Sequence, residues 1–531
     1  MIKKIFSILL IVPFLLFAQE KKDNQSIELP DFVITGVQNV KIPKQKKKKA
    51  KLVNILSESF FRPSISSEAL SVAAFSQPEI LSALKEKKPR YFNGRARAGA
   101  GLYALPVGAF SYYYPIENGI LFADLKGINV RDYVDNAGYN RAYFGVGGKF
   151  FIGRNSSFLP KAAVNIKSDY WRSAYKFFGS ANPTQERKPE KVSANLSIKN
   201  LTENSFGYEI KTDFKKLTFK ENDFSESVFD GELLFNFGGK ILSASVEGNF
   251  KSQSLKNNFS GFDSYNSFSG KFNLKYKLSE SVDLFGGLMY AAQDTQYIFM
   301  PTAAIGIKLN KYFYLFGEFA PYADFETQDD FLQTNRFFQN TNVDNNFTIY
   351  KNFIHGGAKY QYDKYFEISG GVKYSRVSNY LYFEDSVQPG VFLPQIVDDV
   401  KEFTVYANFL YHRGPFGYFY GTVNFQNVKF ENGFDIPYRP MIEATLTYGD
   451  DIFSKIGYKI NFDFRAETYT DAANQNKIPS YVNLGFLLEY RLTRNFALTA
   501  NLQNLLFKEN YYFNNYQEKT FDVLFGIDYK F

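Results

Sequence analysis

The sequence predicts an all-β protein, a transmembrane antiparallel β-barrel closed from about 22 strands. Three observations predict it. Apolar and polar residues alternate with period two from Tyr91 to the end, short and long connections follow one another regularly, and the last segment alternates onto a terminal Phe531.

Taken in order, residues 1–18 read as an export signal. Lys3 and Lys4 precede an apolar run from Ile5 to Phe17, and the small Ala18 precedes Gln19. A charged head, a short apolar core and a small residue before the cut are the parts of a secretory signal. That core is shorter than the roughly 20 residues a helix needs to cross a bilayer. No later run is long and apolar enough to cross as a helix.

Residues 19–90 have a different texture and are expected to form an N-terminal periplasmic segment. They hold a lysine run (Lys44, Lys46 to Lys49, Lys51) and a mildly amphipathic stretch, Ser67 to Lys87, interrupted by Pro78. A run of like charge is usually solvated; the functional alternative is contact with anionic lipid headgroups or an acidic periplasmic partner. The formal net charge of +8 lies in residues 1–90, and the body from 91 to 531 is balanced. Nucleic acid is therefore not expected as a partner.

Residues 91–531 are the expected barrel. Ile456, Tyr458, Ile460, Phe462 and Phe464 share one face of a strand, and Gly457, Lys459, Asn461, Asp463 and Arg465 share the other. Phe272, Leu274 and Tyr276 oppose Lys271, Asn273 and Lys275 in the same way. A soluble β-sandwich alternates too, so the connections decide. Short ones (200–205, 278–282, 309–312, 363–365, 412–415, 449–452, 492–495) interleave with long ones (171–188, 254–266, 324–348, 383–398, 428–437, 468–479, 508–519). Short turns on the periplasmic side and long loops outside are the habit of outer-membrane barrels.

Strands are expected to start near 93, 105, 118, 138, 157, 189, 204, 224, 239, 262, 280, 299, 311, 350, 365, 397, 414, 436, 452, 478, 494 and 519. An even number puts both termini on the periplasmic side. The ring must close, because unpaired backbone groups in lipid cost several kcal/mol each. Apolar and aromatic faces then meet outer-membrane lipids, and Lys, Asn, Asp and Arg face the lumen. The 59 Phe and 39 Tyr, against the single Trp171, suit such strands and the aromatic girdles at both interfaces.

Chemistry is constrained by absence. The chain has no cysteine, which excludes thiol, disulfide and iron–sulfur functions. Its two histidines, His355 and His412, are read as isolated strand residues near periplasmic strand ends, too few for a catalytic set. Paired acids at Asp329–Asp330 and Asp398–Asp399 are read as solvated rather than as calcium ligands. No enzyme, cofactor or metal is expected. Mixed charges on the inward faces indicate no preference for cation or anion. Aromatic loop residues such as Asn510 to Tyr516 suit an interfacial girdle or stacking on sugar rings.

The end of the chain, Ala500 to Tyr512 followed by Thr520 to Phe531, resembles the last two strands of TonB-dependent receptors, where an Asn-Leu-hydrophobic turn leads to a Tyr-bearing loop and a final strand closes on aromatic-Lys-Phe. The string Phe32, Val33, Ile34, Thr35 and Gly36 is similar to the stretch near which such receptors contact TonB, their energising partner. The Lys/Asn/Phe/Tyr-rich style resembles outer-membrane proteins of Bacteroidota. The resemblance implies a barrel in the cell outer membrane of a Gram-negative bacterium that passes a small nutrient or glycan, with Tyr529 and Phe531 as the signal read by the barrel-assembly machinery.

One departure matters: residues 19–90 are too few, and lack the Gly-rich texture, for the folded plug the family carries. Something else must fill so wide a ring, whether inward-folded loops (324–348, 383–398), the 19–90 tail, or a separate plug or lipoprotein partner. The competing readings are a passive porin-like channel and a non-transport scaffold, adhesion or secretion-partner barrel.

Overall fold

The computed structural model describes residues 92–153, 161–200, 206–239, 241–257, 261–340, 346–362, 365–386, 388–412, 417–453 and 455–531. The expected signal (1–18) and the 19–90 segment, with Phe32 to Gly36, lie outside them.

Alternation produces strands, and the strands produce a closed ring of 22. In chain order the first eleven are Gly94–Gly101, Ala104–Ile116, Gly119–Val130, Tyr139–Phe151, Ala162–Lys176, Pro189–Asn200, Phe206–Phe219, Phe224–Gly238, Leu242–Asn257, Gly261–Lys277 and Val282–Gln293. The others are Gln296–Lys308, Phe313–Phe319, Ile354–Tyr362, Phe366–Ser378, Val400–His412, Tyr418–Lys429, Ile442–Ile452, Ile456–Arg465, Tyr481–Arg491, Phe496–Gln503 and Asp522–Lys530. Each pairs antiparallel with its neighbours, and the first closes on the last through Arg95 opposite Lys530 to Gly101 opposite Leu524. The ring has no free edge, as a lipid-embedded sheet requires.

The faces divide as the alternation predicts. Val246, Phe250, Phe229, Leu233 and Phe272 are exposed on the outer face. Residues of the other parity, such as Gln253, Leu255 and Glu226, are buried beneath the loops inside. At the seam, Phe531 and Gly94 exchange backbone hydrogen bonds of 3.0 Å, and the Phe531 ring stacks on Phe110 and Tyr112. This aromatic patch stands where a membrane interface favours such rings.

Short turns close themselves. Asn310 Oδ1 accepts from the amides of Tyr312 (2.8 Å) and Phe313 (3.0 Å), and Thr493 Oγ1 from those of Asn495 and Phe496. Side-chain acceptors of this kind stand in for backbone turns. Two expectations need correction. The stretch 254–266 is mostly strand, since Leu242–Asn257 and Gly261–Lys277 pair without a break to Asn257 opposite Gly261. The turn expected at 449–452 lies a few residues later, between Ile452 and Ile456.

The seam is also pinned inside the ring. Arg95 Nε donates to Asp528 Oδ1 at 2.8 Å and to Oδ2 at 3.0 Å, with Asp528 only 2% exposed. Removing one partner of a covered pair strands the other. The Arg95 side chain remains 36% exposed and reaches water, which reduces the loss. Asp528→Ala is therefore expected to cost about 1–2 kcal/mol. The check is heat-modifiable migration on gels, where the folded band should collapse a few degrees earlier than in the unaltered protein.

Candidate functional site

The long connections converge on one another. Phe177 and Phe178 belong to the connection after the fifth strand, Phe331, Phe337 and Phe338 to that after the thirteenth, and Phe513 and Tyr516 to that before the last. These connections leave the ring roughly a third of its circumference apart, yet their rings touch. Tyr516 stacks on Phe337 with centroids 3.6 Å apart, and Phe178 meets Tyr516 edge-on at 4.9 Å. Phe383, Phe392 and Tyr438 join the cluster from the connections 378–400 and 429–442. Contact between elements rooted so far apart requires the chain to cross the opening. The outer mouth is bridged by an aromatic cap.

Polar bonds hold the cap in register. Tyr516 Oη donates to the Gly390 carbonyl at 2.6 Å, Tyr175 Oη to the Arg336 carbonyl at 2.6 Å, and Arg187 Nη1 to the Phe338 carbonyl at 2.6 Å. Asp385 takes Asn514 Nδ2 at 2.7 Å and the Tyr438 hydroxyl. The expectation of an interfacial girdle or sugar platform at 510–516 is thus corrected for Tyr516, which is buried among cap aromatics. Of the candidates for filling the ring, the connections 324–348 and 383–398 both contribute side chains to this cluster.

One helix, Gln328–Thr334, docks the longest connection onto the wall. Thr327 caps it: its Oγ1 accepts from Asp330 N, and the Asp330 carboxylate accepts from Thr327 N at 2.9 Å. Such reciprocal capping satisfies donors the helix leaves free. Two more, the amides of Gln328 and Asp329, point at the Glu226 carboxylate of the eighth strand at 2.8 and 3.1 Å. Lys191 reaches Asp329 at 2.9 Å from the sixth. Glu226→Ala should therefore loosen the connection by roughly 2 kcal/mol, since it strands two backbone donors that are buried. Limited proteolysis between 326 and 346 should quicken while the barrel itself resists; unchanged cleavage would show that Glu226 does not hold the helix.

The acidic pairs find ordinary work. Asp329 and Asp330 serve the helix, Asp398 accepts from Asn379 N at 2.9 Å, and Asp399 pairs with Arg376 at 2.9 Å, which holds its carboxyl below the usual range. Among the described residues no cluster suits a metal ion.

The histidines divide. His412 is the last residue of its strand. His355 corrects the reading: it begins its strand where the long 319–354 connection enters, and it is not isolated. Its Nδ1 lies 2.8 Å from Glu318 Oε1 and its Nε2 2.8 Å from Tyr406 Oη, both within the wall. Gly371 makes room for this, because a Cβ there would sit 2.8 Å from the Tyr406 hydroxyl. The trio holds no nucleophile such as Ser or Cys.

Below the cap, the lumenal wall carries a cavity of about 460 Å³ beside the seam. One register row crosses it: Asp528 faces Arg97, Arg97 faces Ala109, Ala109 faces Lys126, Lys126 faces Tyr143, and Tyr143 faces Trp171. Trp171 then opposes Lys191. Sequence alone did not single out this row, because a charge acquires meaning only when parity and register place it. Tyr529 and Phe531, expected to mark the chain for assembly, stand at the seam's outer face.

No family model matches the chain, and no curated protein matches it. Solved structures do. The ferric-catecholate import receptor Fiu from K12 E. coli superimposes with a TM-score of 0.61 at 12% identity, over 83% of this chain and 82% of that one. A mutant of the ferric enterobactin receptor PfeA from Pseudomonas aeruginosa, in complex with enterobactin, gives 0.63 at 11% identity, over 82% and 81%. The siderophore receptor PirA from Acinetobacter baumannii gives 0.63 at 11%, over 83% and 81%. At these identities the likeness is one of fold, the large barrel of outer-membrane siderophore receptors.

Proposed function

We propose that the protein is an outer-membrane, TonB-dependent-receptor-like transporter that passes a small nutrient or glycan and keeps its outer mouth closed with its own loops. The observation that carries this is the aromatic cap, in which side chains rooted on distant arcs of the ring meet over the opening. A passive porin has no use for a bridged mouth; a receptor that releases cargo on demand does.

In this reading residues 1–18 direct export, and Phe32 to Gly36 of the 19–90 segment contact TonB or an equivalent energising partner. The last strand, ending in Tyr529 and Phe531, is read by the assembly machinery, and a separate plug or lipoprotein seals whatever the loops leave open. Support for these roles is the sequence string, the terminal pattern and the fold likeness to import receptors.

The test is single-channel conductance of the purified mature protein in planar bilayers, beside a version lacking residues 19–90. Closed traces from both support closure by the loops. Large steady pores only after truncation would give the tail the part of a minimal plug. A steady conductance from the intact protein would replace this reading with a porin.

A further inference from the structure

On several arcs of the lumenal wall, cations are neutralised by acids of nearby strands. Lys211 pairs with Glu232 at 3.1 Å, Lys359 with Glu367 at 2.8 Å, Arg465 with Glu443 at 2.6 Å and Arg491 with Asp451 at 2.9 Å. Beside the seam a group of cations lacks such partners. Arg95 is committed to Asp528, while Arg97, Lys126 and Arg141 have no ion-pair partner among the described residues. Their side chains stand exposed in the open lumen. Lys126 lies over the Tyr143 ring at 5.2 Å and Arg141 over Tyr139 at 5.0 Å.

Small residues make the space. Ala109 and Gly99 sit between the cations and leave the 460 Å³ cavity, within the range that small ligands fill. Trp171 and Tyr143 form part of its aromatic lining. Above it, Arg336 of the cap spans Tyr139 and Tyr175 at 5.5 and 5.6 Å, so positive charge continues from the mouth to the cavity.

We infer that this cavity binds a small anion carried on a ring, of the class of a uronic acid sugar: the carboxylate lies between Arg97, Lys126 and Arg141, and the ring packs on Trp171 and Tyr143. The lining carries Arg95, Arg97, Lys126 and Arg141 against Glu489 and Asp528, and such an excess of guanidinium and ammonium groups in a confined cleft attracts a carboxylate. Flat aromatic faces suit the apolar face of a pyranose. An acidic protein domain is the poorer occupant, because the cavity is of small-molecule size. The inference rests on the transporter reading only in treating the ligand as cargo; binding is measured apart from transport.

Trp171 is the only tryptophan in the chain, so its fluorescence reports this site alone. Full-length protein in detergent is titrated with digalacturonate and, in parallel, with the neutral disaccharide maltose. The expected result is a saturable change with digalacturonate, weakened by salt, and little response to maltose. Arg97→Gln with Lys126→Gln should weaken binding about tenfold or more, since two charge-assisted contacts are lost. Both side chains are unpaired, so the barrel should keep its heat-modifiable migration, and that is verified first.

An absent response, an equal response to maltose, or an unaltered affinity in the double variant each overturns the site. If the double variant does not fold, Lys126→Gln alone carries the same comparison. Conductance decides the transporter reading separately: a closed, gated barrel without digalacturonate binding would sink this inference and leave that reading standing.

Discussion

Replacing Phe337 and Tyr516 together by alanine should convert a closed barrel into one with large, frequent openings. The two rings stack at 3.6 Å with planes 17° apart, and they reach each other from connections far apart on the ring. Tyr516 is also tied to the Gly390 carbonyl at 2.6 Å. Truncating a buried aromatic costs about 3–5 kcal/mol in a packed core. The cap is bounded by water on one side, so the double change is expected near the bottom of that range. Every 1.4 kcal/mol is about a factor of ten in population, so the open fraction should rise roughly a hundredfold. Both residues lie in connections rather than in the ring, and heat-modifiable migration should therefore hardly change. Single-channel open probability is the measurement, and traces as closed as the parent's would mean that something other than these loops fills the ring.

That cap was largely hidden from the sequence, although the ring beneath it was not. Alternation needs only the nearest neighbour along the chain, and it placed most strand starts within four residues, the widest misses being 157 against Ala162 and 436 against Ile442. The lapse at 254–266 has a physical reason: there the paired strands carry polar residues or Gly at most positions, so no continuous apolar face marks them. Phe177, Phe337 and Tyr516 lie in polar, irregular stretches, and their contact is set by where the ring returns each loop. His355 likewise gained partners only when register set Glu318 opposite it and brought Tyr406 within reach. The lumenal charges looked mixed when read along the chain. Around the ring, register pairs some of them, such as Lys211 with Glu232, and leaves others, such as Arg97, Lys126 and Arg141 beside the seam, without an ion pair among the described residues.

The second large effect expected is a loosening of the cap as pH rises from 6 to 8. Glu326 follows the short strand Tyr322–Phe325 in the longest connection, and its amide donates to the Asn346 carbonyl at 3.1 Å. Burial pushes its carboxyl up to about 8, with Asp324 and Asp330 adding to the rise and Arg439 and Lys251 opposing it. Opening the loops returns the group to its ordinary value of 4.5. Below that value both states are protonated, and the closed cap keeps its full stability. Between 4.5 and about 8 the closed form holds a proton that the open form has released, so each unit of rise favours opening by up to about 1.4 kcal/mol. Above about 8 the effect is spent. From pH 6 to 8 the open fraction should grow by up to roughly a hundredfold, less to the extent that water reaches the partly exposed carboxylate. Asp324, Glu384 and Glu518, also raised chiefly by burial, act with the same sign and leave a shallower slope when Glu326 is replaced. Glu326→Gln should flatten most of the dependence and keep the barrel closed at pH 8. Open probability recorded at pH 6, 7 and 8 in both proteins decides it, and a variant as pH-sensitive as its parent would place the proton elsewhere.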